Sequence, residues 1–423
     1  MLNTKSDHYD NFICSAGACP ESCCSGGWQI MIDGESRKRY SGLAAEAEAE
    51  AEAEALADQA AGAKDICALG RRLLHGVDWE NEYFRQDGQG HCLMLDPDGL
   101  CSIQRALGED ALCDTCRIYP RHMEEFEDVR EYSLSLSCPE AARMLLERKA
   151  PLTFIEWETE ETDDPEEYED FDFLLYSQLT DARRRIFHTV QDRSLSFREK
   201  ALRIEAFAAA MQDCLDEGKM YELDELIYGS GEDLDSVESG IPEKPVPMSS
   251  RDSSIPEKPV PMSSRDSSIP EKPVPAGADP FDRNLFSKLF DLEFLKKDWP
   301  DVLDRTWREW KAEEQKAPAS SCDGTMDPED EIRAEQLLMF WIYTYFCGAV
   351  YDGWIYSKAM LAVCSTYWIF RIGAANHFPG GLTEAVYRYA REIEHSDENL
   401  NALEEWFMDR HEKNMQKINR SIF

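Results

Sequence analysis

The sequence predicts a mainly α-helical protein with a small cysteine-rich α+β subdomain that binds a metal ion or a cluster. Three observations lead to this fold class. Cysteines are concentrated before residue 140, apolar residues recur at spacings of three and four over much of the remaining chain, and stretches with strand-like alternation are few. We therefore expect a helical body that carries a metal-bound subdomain on its N-terminal side.

The cysteines of residues 1–150 are the most informative feature of the chain. The first 11 residues are polar and lack the apolar run of an export signal, so we expect a cytoplasmic location in which thiols stay reduced. In that compartment, dense cysteine spacings indicate metal or cluster ligation before disulfides. The nine candidate ligands form three groups, namely Cys14, Cys19, Cys23 and Cys24, then Cys92 and Cys101, then Cys113, Cys116 and Cys138.

The spacing inside two of these groups indicates how the thiols converge. Cys113 and Cys116 form a Cys-x-x-Cys pair, which recurs in zinc and iron–sulfur sites because its two sulfurs reach one ion or two irons. A turn sequence, Asp-Pro-Asp-Gly at positions 96–99, lies between Cys92 and Cys101. This turn predicts a hairpin that brings the second pair together.

The remaining cysteines carry less information. Adjacent Cys23 and Cys24 diverge in extended backbone, so only one of them is expected to face a given metal. For five other cysteines we favour the role of a small buried hydrophobic residue. These are Cys67, Cys214, Cys322, Cys347 and Cys364.

Two low-complexity inserts divide the chain. The Ala/Glu insert at 44–63 begins with alternating Ala and Glu, which favours helix but supplies no apolar stripe, so we expect an exposed helical extension. Residues 241–279 repeat Ile-Pro-Glu-Lys-Pro-Val-Pro-Met-Ser-Ser-Arg-Asp-Ser-Ser, and these prolines and serines predict a disordered linker. The predicted regions are therefore a cysteine-rich one at 1–150, an acidic and helical one at 151–240, the linker, and a helical C-terminal domain at 280–423.

Periodicity assigns the individual elements. Two apolar stretches, 337–351 and 359–372, fall short of the roughly 18 to 20 residues of a membrane span and predict a buried helical hairpin. Strand-like alternation covers 28–32, 92–101 and 132–136. Helical periodicity covers 201–215, 286–310, 331–351, 355–372 and 382–415.

The net charge of −39 argues against a nucleic-acid partner and favours a cationic one. The densest acidic run, at 156–172, carries Trp157, Tyr168 and Phe171 between its carboxylates. This run is a candidate for steering a lysine-bearing protein surface, and the alternative is an ordinary solvated surface.

Four cysteine motifs together resemble the flagellin lysine-N-methylase family, which belongs to a broader group of cysteine-cluster proteins described as zinc or iron chelators. They read Cys-Ser-Ala-Gly-Ala-Cys-Pro-Glu-Ser-Cys-Cys-Ser-Gly-Gly-Trp at 14–28, Leu-Asp-Pro-Asp-Gly-Leu-Cys-Ser-Ile-Gln at 95–104, Leu-Cys-Asp-Thr-Cys-Arg-Ile-Tyr-Pro-Arg at 112–121 and Ser-Leu-Ser-Cys-Pro-Glu at 135–140. The stretch 336–371 is similar to the helical C-terminal half of that family.

The resemblance implies methyl transfer from S-adenosylmethionine to the ε-amines of surface lysines on flagellin. It also implies a cysteine-held [4Fe–4S] cluster, with zinc as the alternative metal. The chain has no Gly-x-Gly-x-x-Gly after a strand, so an ordinary doubly wound nucleotide site has no support. The Cys-x3-Cys-x2-Cys pattern of radical enzymes begins at Cys19 and Cys23 but meets Gly26, which leaves a radical mechanism unsupported.

A lysine amine needs only alignment and deprotonation to displace a sulfonium methyl group. Because its reference pKa is about 10.4, the site must desolvate the amine or supply a base. Proximity to the cysteine motifs gives Tyr119, Tyr132, Asp114 and Glu140 as catalytic candidates, and Arg117 or Arg121 as partners of the cofactor carboxylate. Each has the alternative role of a surface ion pair or a buried tyrosine.

Other functions compatible with the cysteines remain open. The first alternative is a non-catalytic zinc- or iron-binding module in which the metal stabilises a small domain. A metal carrier or a redox protein is a further alternative.

Overall fold

The computed structural model of the protein describes residues 1–53, 61–160, 171–228, 258–259, 279–316 and 326–422. Within these residues the fold is mainly helical with two small sheets, which confirms the predicted predominance of helix. The strands are β1 Leu2–Ser6, β2 Ile30–Met31, β3 Val77–Asp78, β4 Tyr83–Phe84, β5 Arg121–Phe126, β6 Val129–Leu134, β7 Phe154–Glu158 and β8 Lys258–Pro259. The helices are α1 Gly34–Ala53, α2 Ala61–Gly76, α3 Ser102–Leu107, α4 Asp114–Ile118, α5 Pro139–Leu146, α6 Phe173–Gln191, α7 Phe197–Asp216, α8 Met220–Tyr228, α9 Arg283–Phe286, α10 Trp299–Lys316, α11 Pro328–Tyr345, α12 Ala349–Asp352, α13 Ile355–Asn376, α14 Gly381–Glu394 and α15 Asp397–Ile422.

The larger sheet has the order β5-β6-β1-β7-β8. Its central strand, β1, runs parallel to β6 and antiparallel to β7. Asn3, Thr4 and Lys5 are buried in this strand, so a polar sequence without apolar alternation forms the middle of the sheet. Strand β8 belongs to the predicted linker and pairs with β7, whereas the rest of the linker between 241 and 278 lies outside the described residues.

The smaller sheet, of order β2-β4-β3, lies in the cysteine-rich region. It packs with α1 and α2 around Tyr40, Leu73 and Phe84, which are buried. The predicted turn at 96–99 is present, since Asp96 N–H donates to the Leu100 carbonyl at 2.8 Å and Leu95 bridges Cys101 in antiparallel fashion. The turn therefore places Cys101 opposite Leu95, whereas Cys92 bridges Gln86, and Cys92 and Cys101 are close enough for the charge of Cys101 to act on the pKa of Cys92.

Helix α1 corrects the expectation of an exposed Ala/Glu extension. Ala44 and Ala47 are buried, because small side chains three residues apart let α2 approach closely. At Gly70 of α2, an added Cβ would lie 2.4 Å from the Leu43 carbonyl oxygen and 2.6 Å from the Ala47 Cβ. The described part of the insert is thus half of a tightly packed helix pair, and residues 54–60 lie outside the described residues.

The helical body has α13 at its centre. Every residue of α13 from Ile355 to Ile369 is buried, and the helix packs against α7, α10, α11, α14 and α15. The predicted buried hairpin corresponds to α11 and α13. In the described part of the chain, no helix combines the length and the apolarity that crossing a membrane requires.

Two predicted helices are each divided in the structure. Residues 286–310 contain the end of α9, a 3-10 helix at Ser287–Asp291, an irregular segment and α10, which starts at Trp299 just before Pro300. Residues 382–415 are interrupted between α14 and α15, where the Ser396 hydroxyl accepts the Asn399 N–H at 3.1 Å as an N-cap does. This interruption places His395 outside both helices.

The sheet and the helical body are joined by buried polar contacts. The Tyr343 hydroxyl of α11 donates to the Thr4 carbonyl of β1 at 2.9 Å. The Arg183 guanidinium of α6 forms a buried bidentate pair with the Glu131 carboxylate of β6. These contacts hold β6, and with it β5, beside α11 and α14.

Candidate functional site

Three of the predicted cysteine ligands form a chain of thiols. Cys24 shares hydrogen bonds with Cys101 and Cys23, and these, together with burial, raise the pKa of Cys24. The same bonds lower the pKa of Cys23 to about 7 and that of Cys101 to about 6. Cys92 lies against this chain, since its N–H donates to the Cys24 carbonyl at 2.8 Å, and burial raises the pKa of its thiol to about 12.

The Cys-x-x-Cys pair forms a second contact. Cys113 precedes α4 as its N-cap residue, and its thiol shares a hydrogen bond with that of Cys116 one turn later. The bond lowers the pKa of Cys113 and raises that of Cys116. The charges of Cys23 and Cys101 also raise the pKa of Cys116, so this pair lies next to the thiol chain.

The last three candidate ligands, Cys14, Cys19 and Cys138, lie apart from the other six. Burial raises the pKa of Cys138 to about 11, and the nearby charges of Cys19 and Cys14 add to this effect. Cys19 connects the two sets, because Cys14 and Cys23 both act on its pKa, which burial raises. The nine cysteines therefore form two neighbouring sets, which Cys19 connects.

The donor set fits a thiolate-bound group by its chemistry, since zinc and iron–sulfur clusters take sulfur ligands. The arrangement is not a closed cage, because no three Cys, His, Asp or Glu side chains among the described residues are placed to hold a metal ion. Cys23 and Cys24 lie in a short 3-10 helix instead of extended backbone, and both take part in the thiol contacts. The residues that would hold a metal or cluster are thus Cys23, Cys24, Cys101, Cys113 and Cys116, with Cys92 beside them.

Four of the five cysteines predicted to be bystanders are buried thiols of helices. They are Cys67, Cys214, Cys347 and Cys364, whereas Cys322 lies outside the described residues. All thirteen described cysteines are free of disulfides.

Trp28 forms the boundary between the cysteines and the helical body. Its ring stacks on that of His395 with centroids 4.1 Å apart and lies 5.7 Å from that of Tyr119. A Cβ added at Gly26 would lie 1.8 Å from the Trp28 ring. A cysteine at position 26, which the radical-enzyme pattern requires, is therefore incompatible with this position of Trp28.

Ser137 connects the polar groups next to Trp28. Its hydroxyl lies 3.0 Å from the Tyr119 hydroxyl, 2.7 Å from the His395 Nε2 and 2.6 Å from the Ser135 hydroxyl. Burial, with the charges of Arg391 and His122, lowers the pKa of His395 to about 4. His395 is therefore a neutral hydrogen-bonding group at neutral pH.

Glu394 is the titratable group at the centre of this network. Its carboxylate accepts hydrogen bonds from the Ser135 hydroxyl at 3.0 Å, the Ser137 N–H at 3.1 Å and the Tyr345 hydroxyl at 3.1 Å. Burial nevertheless raises the pKa of Glu394 to about 7. His122 lies close enough for the charge of Glu394 to act on its pKa, and His122 itself is bonded to Glu124 at 2.7 Å.

These side chains form one partly exposed cluster. Glu394, His395, Tyr119 and Tyr345 are only half-buried, and the His122 side chain is 43% exposed, yet the pKa values of all five respond to burial. These side chains therefore touch solvent while burial acts on their ionisable groups. We call this surface the α14 recess, and its residues are Trp28, Tyr119, His122, Ser137, Tyr345, Glu394 and His395.

Arg391 fixes the cysteine loop to α14. Its buried guanidinium donates to the Ser137 carbonyl at 3.0 Å and to the Glu21 carbonyl at 2.8 Å, and it pairs with the Glu21 carboxylate at 2.8 Å. Lys296 reaches the same carboxylate at 2.9 Å. The positive charge of Arg391 partly opposes the burial that raises the pKa of Cys19, and it adds to the hydrogen bond with Cys24 that lowers the pKa of Cys23.

The structure distributes the predicted catalytic and cofactor-binding residues over several places, and only Tyr119 lies in the α14 recess. Tyr132 donates to the Asn3 side chain at 3.3 Å. The others are held in local pairs. Asp114 pairs with Arg117, Glu140 pairs with Arg143, and Arg121 lies over the rings of Tyr9 and Phe12.

Sequence reasoning missed Ser137, Arg391, Glu394 and His395. The signal available for the last two was the Ser-Asp-Glu sequence at 396–398, which is typical of a helix start and marks the interruption after α14. The acidic run at 156–172 is described only at its ends, and 161–170 lie outside the described residues. Trp157 from that run stacks on Tyr132.

Comparison with known proteins finds one matching family and several similar proteins. Residues 183–419, which include α14, match the family model described as the FliB lysine N-methylase C-terminal domain. The flagellar biosynthetic protein FliU of Salmonella muenchen is 33% identical over 138 residues, which cover 32% of this chain and 72% of that protein. A lysine-N-methylase of Salmonella choleraesuis strain SC-B67 is 33% identical over 136 residues, which cover 32% of this chain but only 30% of that protein. No solved structure matches.

Proposed function

The chain belongs to the FliB lysine N-methylase family, and from this premise we propose that it transfers methyl groups from S-adenosylmethionine to lysine ε-amines of flagellin in the cytoplasm. The observation that carries the proposal is the α14 recess, because it places a carboxyl group of raised pKa in a solvent-reachable position. S-adenosylmethionine would supply an electrophilic methyl group when bound.

The first task of the recess is to hold a lysine side chain. Glu394 and Glu124 provide negative charge for an incoming ammonium group, and the ring of Tyr119 provides an aromatic group with which such a cation packs favourably. Arg391 is the arginine beside the recess, and its guanidinium lies 5.3 Å from the Trp28 ring centroid and pairs with the Glu21 carboxylate at 2.8 Å. The described part of the recess is thus suited to a cationic amine.

The second task is to remove a proton from that amine. The lysine pKa of about 10.4 keeps the free side chain charged at neutral pH, so the nucleophile forms only when a base accepts the proton. The pKa of Glu394, at about 7, is close to the value that makes a carboxylate an effective base at neutral pH. We assign this proton transfer to Glu394, with Tyr345, Ser135 and the Ser137 N–H orienting its oxygens.

His395 and Tyr119 have a positioning role. Both bond to the Ser137 hydroxyl, and neither carries charge at neutral pH, since burial lowers the pKa of His395 and raises that of Tyr119. They therefore shape the wall of the recess without competing for the proton. Trp28 continues this wall toward the cysteines.

We further propose that the cysteines hold a [4Fe–4S] cluster, with zinc as the alternative. Cys23, Cys24, Cys101, Cys113 and Cys116 would supply the ligands, and the group would fix the loops on which Trp28 and Tyr119 lie. Arg391 supports this arrangement from the helical body through Glu21.

The metal proposal is tested by metal analysis, acid-labile sulfide and visible absorbance on anaerobically purified protein. The variants are Cys113→Ala and Cys116→Ala, and Cys214→Ala in the helical body is the matched control. We expect iron and sulfide in the parent and the control, and their loss in the two variants. Stoichiometric zinc without a chromophore would assign the site to zinc, and no bound metal would contradict the proposal.

The enzymatic proposal is tested in the native host. Deletion of the gene should remove methyl increments from the lysines of flagellin in mass spectra, and the wild-type gene should restore them, whereas Glu394→Gln should not. Flagellin with unchanged methylation in the deletion strain would favour the non-catalytic metal-binding module instead.

A further inference from the structure

Strand β5 (Arg121–Phe126) is an edge strand of the larger sheet. On one side it pairs with β6, from Arg121 opposite Leu134 to Phe126 opposite Val129. On its other side, no strand of the described residues pairs with it. Edge strands present unpaired backbone groups and can accept an added strand.

The register identifies which backbone groups face outward. Antiparallel strands bond at every second residue, and the pair Phe126 and Val129 flanks a two-residue turn. The Ser135 N–H donates to the Pro120 carbonyl at 2.8 Å, which places the bonds to β6 at the even-numbered residues of β5. The backbone groups of Arg121, Met123 and Glu125 therefore point away from the sheet.

A side-chain contact agrees with this register. The Tyr351 hydroxyl donates to the Glu125 carbonyl at 2.5 Å from outside the sheet. Among the described residues, no group bonds to the backbone N–H or C=O of Arg121 or Met123. The open edge thus has a free donor and a free acceptor at Met123, whose side chain is 44% exposed.

The even-numbered side chains of β5 face the α14 recess. Phe126 is buried in the main core, and His122 and Glu124 follow it on the same face. The charge of Glu394 raises the pKa of His122, and that of Glu124 raises the pKa of Tyr345, so both side chains lie beside the recess. A strand added to β5 would direct every second side chain to this face.

We propose that the substrate docks as an extended segment on the open edge of β5, with its lysine directed past the His122–Glu124 pair toward Glu394. This inference rests on the proposed function and names how the substrate is held. Backbone bonds at Met123 and Arg121 fix the segment whatever its sequence, and the carboxylates of Glu124 and Glu394 select a cationic side chain. The enzyme therefore recognises lysine in an extended segment.

Hydrogen exchange tests the docking independently of catalysis. The amides of Arg121, Met123 and Glu125 should exchange rapidly in the free protein, and purified flagellin monomer should slow exchange in the β5 peptide at least tenfold. The edge amides of the smaller sheet provide the internal comparison. Unchanged exchange in β5 at saturating flagellin would overturn the proposal. Protection that grows with the concentration of the protein alone would assign the edge to a second copy of this chain and would also overturn it.

Two variants of Met123 separate the contribution of its backbone N–H to substrate binding from that of its side chain. Met123→Pro removes the outward N–H at a position where an edge strand tolerates proline, whereas Met123→Ala keeps the N–H and removes the side chain. We expect KM for flagellin to rise about tenfold in the proline variant and less than about twofold in the alanine variant. Equal KM changes in the two variants would contradict a backbone contact. Thermal melts show whether each variant is folded.

The two proposals fail in different ways. Flagellin methylated by the wild-type protein without protection of β5 would remove the docking mode and leave the methylase function. Protection of β5 without any methyl transfer would support the docking surface and remove the enzymatic function. A third measurement needs no variant of the protein and uses lysine-containing peptides in which one backbone amide after another is N-methylated. Docking on β5 predicts that methylation weakens peptide binding at every second position, because only alternate amides bond to the edge.

Discussion

Glu394→Gln is the substitution that tests the proposed role of the α14 recess most fully. Glutamine keeps the shape of the side chain, and its amide oxygen can accept from Ser135 and Ser137 while its NH2 group faces Tyr345. The change therefore removes the charge and the proton acceptor with little loss of packing. We expect kcat to fall by about 10²- to 10⁴-fold, the usual contribution of a general base.

The same substitution should make the protein more stable at high pH. Folding raises the pKa of Glu394 from 4.5 to about 7, so the folded state retains a proton that the unfolded chain loses between these pH values. Stability contributed by this group is present below pH 4.5, falls as the pH rises to 7, and stays reduced above it. At about 1.4 kcal/mol per pH unit the full reduction is about 3 kcal/mol, and contact with solvent lowers it to about 1 to 2 kcal/mol.

The assay is urea unfolding of the parent and the variant at pH 5.5 and pH 8. We expect the glutamine variant to gain about 1 to 2 kcal/mol at pH 8 and clearly less at pH 5.5. A variant that is destabilised equally at both pH values would refute the assignment of a raised pKa to Glu394.

The pH dependence of activity supplies the matching control. In the parent, kcat/KM should rise with pH through about 7 as Glu394 loses its proton. Glu392 lies on the same helix, and burial also raises its pKa to about 7, but its carboxylate accepts the N–H groups of Leu295 and Lys296 away from the recess. Glu392→Gln should therefore keep the acidic limb of the profile. Loss of the acidic limb in the Glu392 variant would show that Glu392, and not Glu394, is the group that titrates, and would contradict the assignment.

Three further variants test the surroundings of the recess. Arg391→Met should cost about 2 to 3 kcal/mol in urea unfolding and reduce metal content, because it leaves Glu21 with Lys296 alone, and unchanged stability would contradict the link between cysteine loop and helix. Ser137→Ala should lower kcat about tenfold, since Tyr119 and His395 lose a common partner, and a change in KM alone would exclude this positioning role. Gly70→Ala should cost about 1 to 3 kcal/mol by thermal melting, because its Cβ would meet helix α1, and an unchanged melting temperature would refute that packing.

The sequence predicted the helical body well because its helices carry the spacing of apolar residues that burial requires. Residues 355–372 coincide with α13, and 201–215 lie inside α7, whose first turn has the capping box formed by Ser196 and Glu199. Strand β1 was not predictable in this way. Its buried residues are Asn3, Thr4, Lys5 and Ser6, and their burial depends on neighbours that are more than one hundred residues away in the chain.

The candidate site was predictable only in part. Cysteine spacing drew attention to the region that contains Tyr119 and Ser137, and the turn between Cys92 and Cys101 followed from the residues at 96–99. Glu394 and Ser135 are separated by 259 positions and meet only when α14 packs against the sheet. No local pattern marks such a contact. The raised pKa of Glu394 also arises from burial, which the sequence around it does not reveal.

The most direct test of the central claim is methyl transfer in vitro. Purified, metal-loaded protein is incubated with flagellin monomer and S-adenosylmethionine that carries a deuterated methyl group, and the flagellin is then examined by mass spectrometry. The account predicts labelled methyl groups on lysine side chains with the wild-type protein and their near absence with Glu394→Gln. Unlabelled flagellin with the wild-type protein, or equal labelling with the variant, would contradict it.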